Sequence, residues 1–549
     1  MSEPQKPTSL AKNIDKNEAK KRAKLEKLAA KQAKLAAVAA AKEAKGGEVG
    51  ESKKAKVVEA KPIKETKAFV NTTPAGEKKD LSEPLAAAYD PQAVEASWYE
   101  WWVKEGIFKA QLSKDAEGKN VINPKGKFVI PIPPPNITGA LHIGHALTVA
   151  IQDTLIRWNR MLGKSVLYNP GCDHAGIATQ VVVEKRLWKE QGKTRHDMGR
   201  DAFTAEVWKW RESFGDRIYG QLRRLGGSYD WSRVRFTMDP ALSKSVTEAF
   251  VRLHQEGVIY RASRLVNWST ALNTAISNLE VENKELSGRT TLTIPGYEKK
   301  VEFGVITSFA YPIEGSDEKI VVATTRPETM LGDTGIAVHP TDERYKHLHG
   351  RFATHPFIPE RRIPIICDDI AVDMAFGTGA VKMTPAHDPN DFEVGKRHDL
   401  EFINILNDDG TMNQNAGPFA GMKRFDVRYA VVDALKEKGL FVDVADNPMS
   451  VPICTKSGDV IEPLIKPQWW VKCQDMAKDA MLAVQEGRLE IQPKLSEREW
   501  FRWLGNIQDW CISRQLWWGH RVPAYFVSLE GRDQKVGDRN DDHYWVSGR

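Results

Sequence analysis

The chain has 549 residues, enough for roughly three or four domains, and its formal net charge is +6. No apolar run approaches the ~18–20 residues that a membrane span needs, so we expect no membrane insertion. The five cysteines stand without a Cys-x-x-Cys pair, which argues against a disulfide framework and against a cysteine-based zinc site. A reducing compartment is expected, and the lack of a signal peptide or transit peptide predicts the cytoplasm.

The basic charge lies in an N-terminal extension, residues 1–80, that is rich in Lys, Ala and Glu. Residues 1–68 hold 18 Lys and Arg against 9 Asp and Glu, so the rest of the chain is slightly acidic. We predict that this extension is mostly disordered or helical. A Lys-rich helix can follow a nucleic-acid backbone through counterion release, and a solvated tail without a partner is the alternative.

A helical lead-in is predicted for residues 81–126. Its main element is an amphipathic helix from Val94 to Phe108, which carries Trp98, Trp101 and Trp102. The spacing of these tryptophans favours one packed face.

A strand, a loop and a helix are predicted next, at the start of a domain over 127–287. The apolar run Phe128–Ile132 is typical of a buried strand, and the segment Pro133-Pro-Pro-Asn-Ile-Thr-Gly-Ala-Leu-His-Ile-Gly-His145 follows it. His142 and His145 then fall in the first helical turn, where free backbone N–H groups and the helix dipole attract phosphate. Gly144 would let a nucleotide approach closely. One face of the helix, which runs to Leu162, carries Leu147, Ile151, Leu155 and Trp158.

A second strand, Ser165–Asn169, leads into the segment Asn169-Pro-Gly-Cys-Asp-His-Ala-Gly-Ile-Ala-Thr-Gln180. A carboxylate at the carboxyl end of a strand suits an α-ammonium group, so Asp173 is a candidate ligand. Asp173 is equally suited to capping the helix that follows. Helical patterns continue to about residue 260.

The composition changes near residue 288. Thr-, Val- and Ile-rich runs alternate with turn residues to about residue 455, which predicts a strand-rich insertion. Helical, Trp-rich patterning then resumes with Pro467–Trp470 and from Trp500 to Trp518. A third segment, Trp510-Cys-Ile-Ser-Arg-Gln-Leu-Trp-Trp-Gly-His-Arg-Val-Pro523, is either core packing or an aromatic-walled pocket.

These three segments, in this order, resemble those of the class I aminoacyl-tRNA synthetases of the valine, isoleucine and leucine group. The resemblance covers roughly residues 85–549 and is closest to the valine branch, although Cys172 stands where that branch commonly has threonine. It implies an α/β fold. A Rossmann-like catalytic domain would occupy 127–287 and resume over 456–549, and a β-rich editing domain would be inserted at 288–455.

The resemblance also implies residue roles in the catalytic domain. His142 and His145 would contact the ATP phosphates as the catalytic pair, with Gly139 and Gly144 beside them. The amino-acid site would comprise Pro134, Asn136, Asp173 and Trp518, with Trp517 as the competing choice for the wall of the side-chain pocket.

The editing domain carries two segments that resemble the family's editing site, Thr324–Thr329 and Gly377–Asp391. The implied editing residues are Thr324, Thr325, Arg326, Lys382, Thr384, Asp388 and Asp391. Arg326 and Lys382 suit the terminal nucleotide of tRNA, and Asp388 or Asp391 suits the α-ammonium group. As alternatives, the two aspartates are turn residues around Pro389, and the two threonines are ordinary strand residues.

The function implied is ATP-dependent activation of valine, its transfer to tRNA(Val) and hydrolytic editing of mischarged threonyl-tRNA. An isoleucine-type enzyme and an inactive tRNA-binding or editing fragment are the alternatives. ATP with Mg²⁺, valine and tRNA(Val) are the expected ligands and partners, and a monomer is expected. The basic extension would contact tRNA without reading its sequence.

Two features of the family are expected to be absent. Cys454 stands alone, so no structural zinc is expected. The Lys-Met-Ser-Lys-Ser loop and the anticodon-binding domain are not found, which predicts an N-terminal fragment. Leu242–Ser245 resembles the tail of that loop, but it follows Asp239-Pro240 as the start of a predicted helix.

Overall fold

The structure is a computed structural model that describes residues 69–82, 88–527 and 545–548. Residues 1–68 lie outside the described residues, so the basic extension and its contact with tRNA stay predictions. The α-helices are Pro91–Glu95, Trp98–Lys104, Ile143–Met161, Gly176–Gln191, Arg195–Met198, Arg200–Arg224, Pro240–Gln255, Pro389–Arg397, Arg424–Glu437, Gln474–Gln485 and Glu497–Gly505. No helix in these residues is both long and apolar enough to span a bilayer.

The lead-in is less helical than predicted. The single helix expected from Val94 to Phe108 is wrong, because the chain forms two short helices, Pro91–Glu95 and Trp98–Lys104. Ser97 separates them with a φ of 70°, a left-handed conformation that a continuous helix does not accommodate. A small antiparallel sheet follows, in which Ser113–Lys114 pairs with Asn120–Val121.

The first half of the predicted catalytic domain is built on parallel strands. Lys127–Pro131 pairs in parallel with Ser165–Asn169, and the helix Ile143–Met161 makes the crossover between them. Next along the chain, Gly171–Cys172 pairs in parallel with Arg235–Phe236. This arrangement confirms the α/β fold class and the second predicted strand. The first strand is not buried as predicted, since its residues alternate between exposed and half-buried.

The helix Ile143–Met161 presents its longest apolar stripe to solvent. Val149 and Ile156 face the opposite way and pack in the core with Tyr168. The stripe that marked the helix in the sequence lies on one face, and all of its members are exposed: Leu147, Ile151, Leu155 and Trp158. Apolar periodicity therefore identified the helix, but not the face that packs against the described residues.

Two ribbons of paired strands lead into and out of the inserted module. Ile259–Ser269 pairs antiparallel with Glu462–Val471, and Val281–Leu286 pairs antiparallel with Met449–Cys454. In the second ribbon Leu286 lies opposite Met449, so the chain enters and leaves the module at one place. Pro467–Trp470 was predicted to be helical, which is wrong, because pairing with the distant strand Ile259–Ser269 makes it extended.

The module combines small sheets with two helices. One sheet has the order Lys319–Thr324, Val305–Pro312, Phe441–Asp446, and another has the order Phe352–Thr354, Arg362–Cys367, Gly335–Val338, Ala380–Met383. A short pair, Thr290–Leu292 with Val301–Phe303, completes its strands. The helices are Pro389–Arg397 and Arg424–Glu437.

The main hydrophobic core of the module continues beyond the predicted limits of 288–455. Phe309, Val322 and Ile336 of the module share one buried cluster with Trp268 and Trp470 of the first ribbon. The ribbon is therefore packed against the module as well as joined to it by the chain.

Candidate functional site

Two pockets contain most of the residues singled out in the sequence. The first has a volume of about 380 Å³ and is lined by the loop from Ile132 to Leu141 together with His142, His145 and Thr148. His142 is the N-cap residue of the helix Ile143–Met161, and its Nδ1 accepts a hydrogen bond from the backbone N–H of Gly144 at 3.2 Å. His145 Nδ1 accepts from the backbone N–H of His142 at 3.3 Å.

These contacts determine which nitrogen of each imidazole carries the proton. Because each Nδ1 is an acceptor, the proton of each neutral ring lies on Nε2, which is then a donor. The ring centroids are 4.1 Å apart. Partial burial, followed by the charge of His142, lowers the pKa of His145. The pair therefore offers hydrogen-bond donors at a helix N-terminus, an arrangement suited to an anion such as phosphate.

The packing of the His142 ring also favours glycine at position 144. A Cβ at this position would lie 3.0 Å from Cε1 and 3.1 Å from Nδ1 of His142. The glycine therefore leaves room for the His142 ring, in addition to any room it leaves for a ligand. Apart from its two neighbours in the chain, no atom of the described residues lies within 4 Å of a Cβ built at Gly139.

The first two sequence segments meet through their backbones. Asp173 N donates to the carbonyl of Pro135 at 2.8 Å, and Ile137 N donates to the carbonyl of Asp173 at 3.2 Å, which forms a bridge between Asn136 and Asp173. The helix after Asp173 begins at Gly176 without a side-chain cap, so the capping alternative is wrong. Pro134 and Asn136 line the pocket, and Asp173 adjoins it through the bridge.

Asp173 is held by its neighbours in the ionised form. Burial opposes its charge, but hydrogen bonds and charge from His174, with a hydrogen bond from Thr237, outweigh burial and lower its pKa. The hydroxyl of Thr237 donates to Asp173 Oδ1 at 3.1 Å. An ionised carboxylate is what an α-ammonium group requires.

Trp518 is a core residue that contacts the backbone next to Asp173. Its indole is 1% exposed and packs in the core with Trp208 and Phe236, and its Nε1 donates to the carbonyl of His174 at 2.8 Å. It does not line the first pocket. The third segment therefore includes core packing, one of the two alternatives that its tryptophans left open.

The second pocket brings together both segments of the inserted module. Its volume is about 590 Å³, and all seven editing residues implied by the sequence line it: Thr324, Thr325, Arg326, Lys382, Thr384, Asp388 and Asp391. Thr324 ends a strand, and Asp388 caps the helix Pro389–Arg397 by accepting from the N–H groups of Asn390 and Asp391. The strand alternative is therefore also true of Thr324, whereas the turn alternative is wrong, because Asp388 caps a helix and Asp391 lies in its first turn.

Lys382 lies in a buried polar cluster at the floor of the second pocket. Its Nζ donates to Asp333 Oδ1 at 2.9 Å and to Thr384 Oγ1 at 2.5 Å, and Thr384 Oγ1 donates to the same Asp333 oxygen. The hydroxyl of Tyr311 donates to Asp333 Oδ2 at 2.7 Å. Burial raises the pKa of Asp333, although Lys382 and these hydroxyls oppose the rise.

Asp391 is the carboxyl group of this pocket whose protonation is most perturbed. Burial, followed by repulsion from Asp388, raises its pKa to about 7. Its Oδ2 accepts from the backbone N–H of Thr384 at 2.8 Å, which fixes its position next to the Lys382 cluster. Asp391 therefore changes charge near neutral pH, whereas an ordinary aspartate does so near pH 4.

Arg326 forms part of the pocket wall through two contacts. One guanidinium nitrogen donates to the carbonyl of His387 at 2.9 Å, and the other donates to the carboxylate of Glu462. Glu462 belongs to the strand Glu462–Val471, outside the predicted editing domain. The neighbouring carboxylates raise the pKa of Arg326 further, against the effect of burial.

Sequence reasoning missed several residues of the second pocket. His387 and Phe376 line it, while Asp333 and Glu462 contact lining residues from outside the two segments. Gly377 and Gly379, which follow Phe376 and both have positive φ angles, are a signal that the sequence offers for this turn. No local pattern marks Asp333 or Glu462, because each meets its partner through the fold.

Among the described residues, no group of three or more His, Cys, Asp and Glu side chains is arranged to hold a metal ion. Cys454 is buried in a small apolar cluster.

Comparisons with known proteins point to a single family. Residues 97–549 match the family described as tRNA synthetases class I (I, L, M and V). The chain is 63% identical over 495 residues to the mitochondrial valine–tRNA ligase of Saccharomyces cerevisiae, a match that covers 89% of this chain and 44% of that protein. It is 61% identical to the valine–tRNA ligase of Schizosaccharomyces pombe, covering 89% and 49%, and 59% identical to that of Homo sapiens, covering 87% and 38%. The chain thus spans less than half of the length of these relatives.

Proposed function

Because the chain belongs to the class I tRNA synthetases of the isoleucine, leucine, methionine and valine group, we propose that it is part of a valine–tRNA ligase that edits threonyl-tRNA. The observation that carries the proposal is the second pocket, which gathers all seven of the editing residues implied by the sequence. A separate pocket holds the two histidines suited to ATP.

Activation of valine is assigned to the first pocket. A carboxylate oxygen of valine attacks the α-phosphorus of ATP, a new O–P bond forms, and the bond to pyrophosphate breaks. The Nε2–H groups of His142 and His145 donate to phosphate oxygens as their charge develops. Since the helix N-terminus positions both rings before the substrate arrives, little reorganisation accompanies the step.

Valine itself is assigned to the region between Asn136 and Asp173. The carboxylate of Asp173, kept ionised by His174 and Thr237, binds the α-ammonium group. Threonine has nearly the same shape as valine, and in enzymes of this class an apolar pocket rejects threonine only about a hundredfold relative to valine. Selection at this site alone therefore leaves mischarged product, which is the physical reason for a second pocket.

Editing is assigned to that second pocket. Asp391, with Asp388 beside it, binds the α-ammonium group of the threonyl ester, and the polar cluster of Lys382 and Thr384 receives the threonine hydroxyl. A valyl group lacks this hydroxyl and would form no hydrogen bond with this cluster, which disfavours its binding relative to a threonyl group. Arg326 contributes positive charge for the terminal nucleotide of tRNA. Water then attacks the ester carbon, and the bond to the ribose oxygen breaks.

The remaining partners follow from this function. ATP with Mg²⁺, valine and tRNA(Val) are the proposed ligands, and the Lys-rich residues 1–68 would add sequence-independent contact with tRNA. We also propose a monomer that works in the cytoplasm. The five free cysteines are in keeping with a reducing compartment.

The proposed function is tested on the complete gene product. Pyrophosphate exchange with ATP should depend on valine in preference to isoleucine, and threonyl-tRNA(Val) should be hydrolysed faster than valyl-tRNA(Val). A preference for isoleucine in the exchange reaction contradicts the assignment to valine. Equal hydrolysis of the two esters contradicts the assignment of the second pocket to editing.

A further inference from the structure

Glu462 lies outside the inserted module but contacts residues that border the second pocket. It is the first residue of the strand Glu462–Val471, it pairs opposite Trp268, and it is 1% exposed. It therefore belongs to the ribbon beneath the inserted module, yet its carboxylate contacts groups that border the pocket.

The carboxylate of Glu462 meets three side chains. It accepts hydrogen bonds from Arg326 and, at Oε2, from Arg424 at 2.8 Å, and its Oε1 lies 3.5 Å from Nδ1 of His387. His387 Nε2 accepts from the backbone N–H of Ile405 at 3.1 Å, so the proton of the neutral ring is on the Nδ1 that faces Glu462. Burial opposes the charge of Glu462, but Arg326, His387 and Arg424 outweigh burial and hold its pKa well below its usual range.

These contacts join two sides of the pocket. Arg326 follows the strand that ends at Thr324, whereas His387 immediately precedes Asp388, the cap of the helix that carries Asp391. Arg326 also donates to the backbone carbonyl of His387. The Glu462 carboxylate thus fixes the guanidinium of Arg326 and the turn before Asp388 in one arrangement.

We infer that Glu462 is a positioning residue of the editing pocket, which acts on hydrolysis of the mischarged ester by holding Arg326 and the His387–Asp388 turn in register. This inference rests on the proposed function for its readout in catalysis. Glu462 does not touch the substrate and acts only through its neighbours.

Asp459 offers a matched control in the same network. Arg424 donates to Asp459 Oδ1 at 2.8 Å, just as it donates to Glu462, and Asp459 is equally buried. Asp459 Oδ2 accepts from Thr270 Oγ1 and from Ala271 N, both at 3.0 Å, and none of the described hydrogen bonds joins it to Arg326 or His387. The substitutions Glu462→Gln and Asp459→Asn therefore each remove one buried charge that faces Arg424. Only the first also weakens the contacts with Arg326 and His387.

The test uses the complete gene product with each substitution. Glu462→Gln should lower kcat/KM for threonyl-tRNA hydrolysis by between about tenfold and about a hundredfold, the scale of loss expected when reacting groups are displaced by about an ångström. Valine-dependent pyrophosphate exchange should be unchanged. Asp459→Asn should leave hydrolysis close to wild type at matched stability, which is measured from the urea midpoint.

A second measurement does not depend on activity. Labelling of Arg326 by a phenylglyoxal reagent, followed by mass spectrometry, should be faster in Glu462→Gln than in the wild type and unchanged in Asp459→Asn. Equal effects of the two substitutions on hydrolysis and labelling would overturn the inference, as would unchanged labelling in Glu462→Gln. If the wild type does not hydrolyse threonyl-tRNA, the proposed function fails, and the labelling comparison still decides the role of Glu462.

Discussion

Lys382 Nζ lies 2.9 Å from Asp333 Oδ1, and the two residues are buried although 49 positions separate them in the chain. Removing one partner of a buried ion pair leaves an uncompensated charge. We predict that Asp333→Asn destabilises the protein by about 3–5 kcal/mol and abolishes selective hydrolysis of threonyl-tRNA. The free energy of unfolding in urea and the deacylation rate test both effects.

The double substitution Asp333→Asn with Lys382→Met separates stability from function. It removes both charges, so most of the lost stability should return. Hydrolysis should stay low because the polar cluster for the threonine hydroxyl is gone. Recovery of hydrolysis in the double variant would show that neither charge takes part in editing.

The raised pKa of Asp391 predicts how editing depends on pH. Below about pH 7 the carboxyl is protonated, and above this it is ionised and able to bind an ammonium group. Hydrolysis of threonyl-tRNA should therefore rise as the pH passes through about 7. Asp388→Asn removes the repelling charge but keeps a helix N-cap, so the midpoint of the profile should move to lower pH. An unmoved midpoint would mean that another group controls the profile.

The raised pKa of Asp391 also predicts that stability falls as the pH rises, whereas hydrolysis increases. Because the folded protein binds the proton of Asp391 more tightly than the unfolded chain does, this group favours folding at low pH. That contribution is lost as the pH rises from about 4 to about 7. Asp391→Asn should therefore raise Tm relative to the wild type above pH 7, and this gain should shrink below pH 5. Thermal unfolding across this range provides the measurement.

His145 should matter to activation and not to editing, since His142 and His145 line the first pocket and not the second. His145→Ala should lower kcat/KM for valine-dependent pyrophosphate exchange by about a hundredfold to a thousandfold and leave threonyl-tRNA hydrolysis unchanged. Thr154→Ala is the control on the same helix, because its hydroxyl donates to the carbonyl of Ala150 at 2.7 Å and the residue does not line the pocket. An equal loss in both variants would point to a general disturbance of the helix.

Gly144→Ala should separate activity from stability. Alanine stabilises a helix by roughly 0.5–1 kcal/mol relative to glycine, yet its Cβ would press on the His142 ring at 3.0 Å. We therefore expect unchanged or higher Tm together with slower pyrophosphate exchange. Beyond its chain neighbours, the methyl group of Gly139→Ala meets none of the described residues within 4 Å, so a raised KM for ATP in that variant would report direct contact with the nucleotide. Full activity of Gly144→Ala would contradict the role given to the ring position.

Local patterns predicted the parts of the fold that depend on neighbours in sequence. The strand Ser165–Asn169 and the start of the helix at Ile143 follow from apolar runs, a loop and a cap that lie close together in the chain. Pro467–Trp470 was misassigned because its extended form depends on pairing with Ile259–Ser269, some two hundred residues earlier.

The same distinction applies to the pockets. Lys382, Thr384, Asp388 and Asp391 occur in one short segment, so a resemblance was enough to find them. No segment of the sequence predicts Asp333 or Glu462 at this pocket, because only the folded chain brings each of them to its partner.

The pairing of Leu286 with Met449 has a practical consequence for engineering. Since these two positions are direct neighbours in an antiparallel ribbon, a short turn between them could replace the whole insertion without pulling the ribbon apart. Such an excision would strip Asp459 and Glu462 of Arg424 and Arg326, their basic partners. Because Trp268 and Trp470 share a buried cluster with the module, the excision would also expose these two indoles. A minimal body made this way should therefore aggregate unless both tryptophans are replaced by polar side chains.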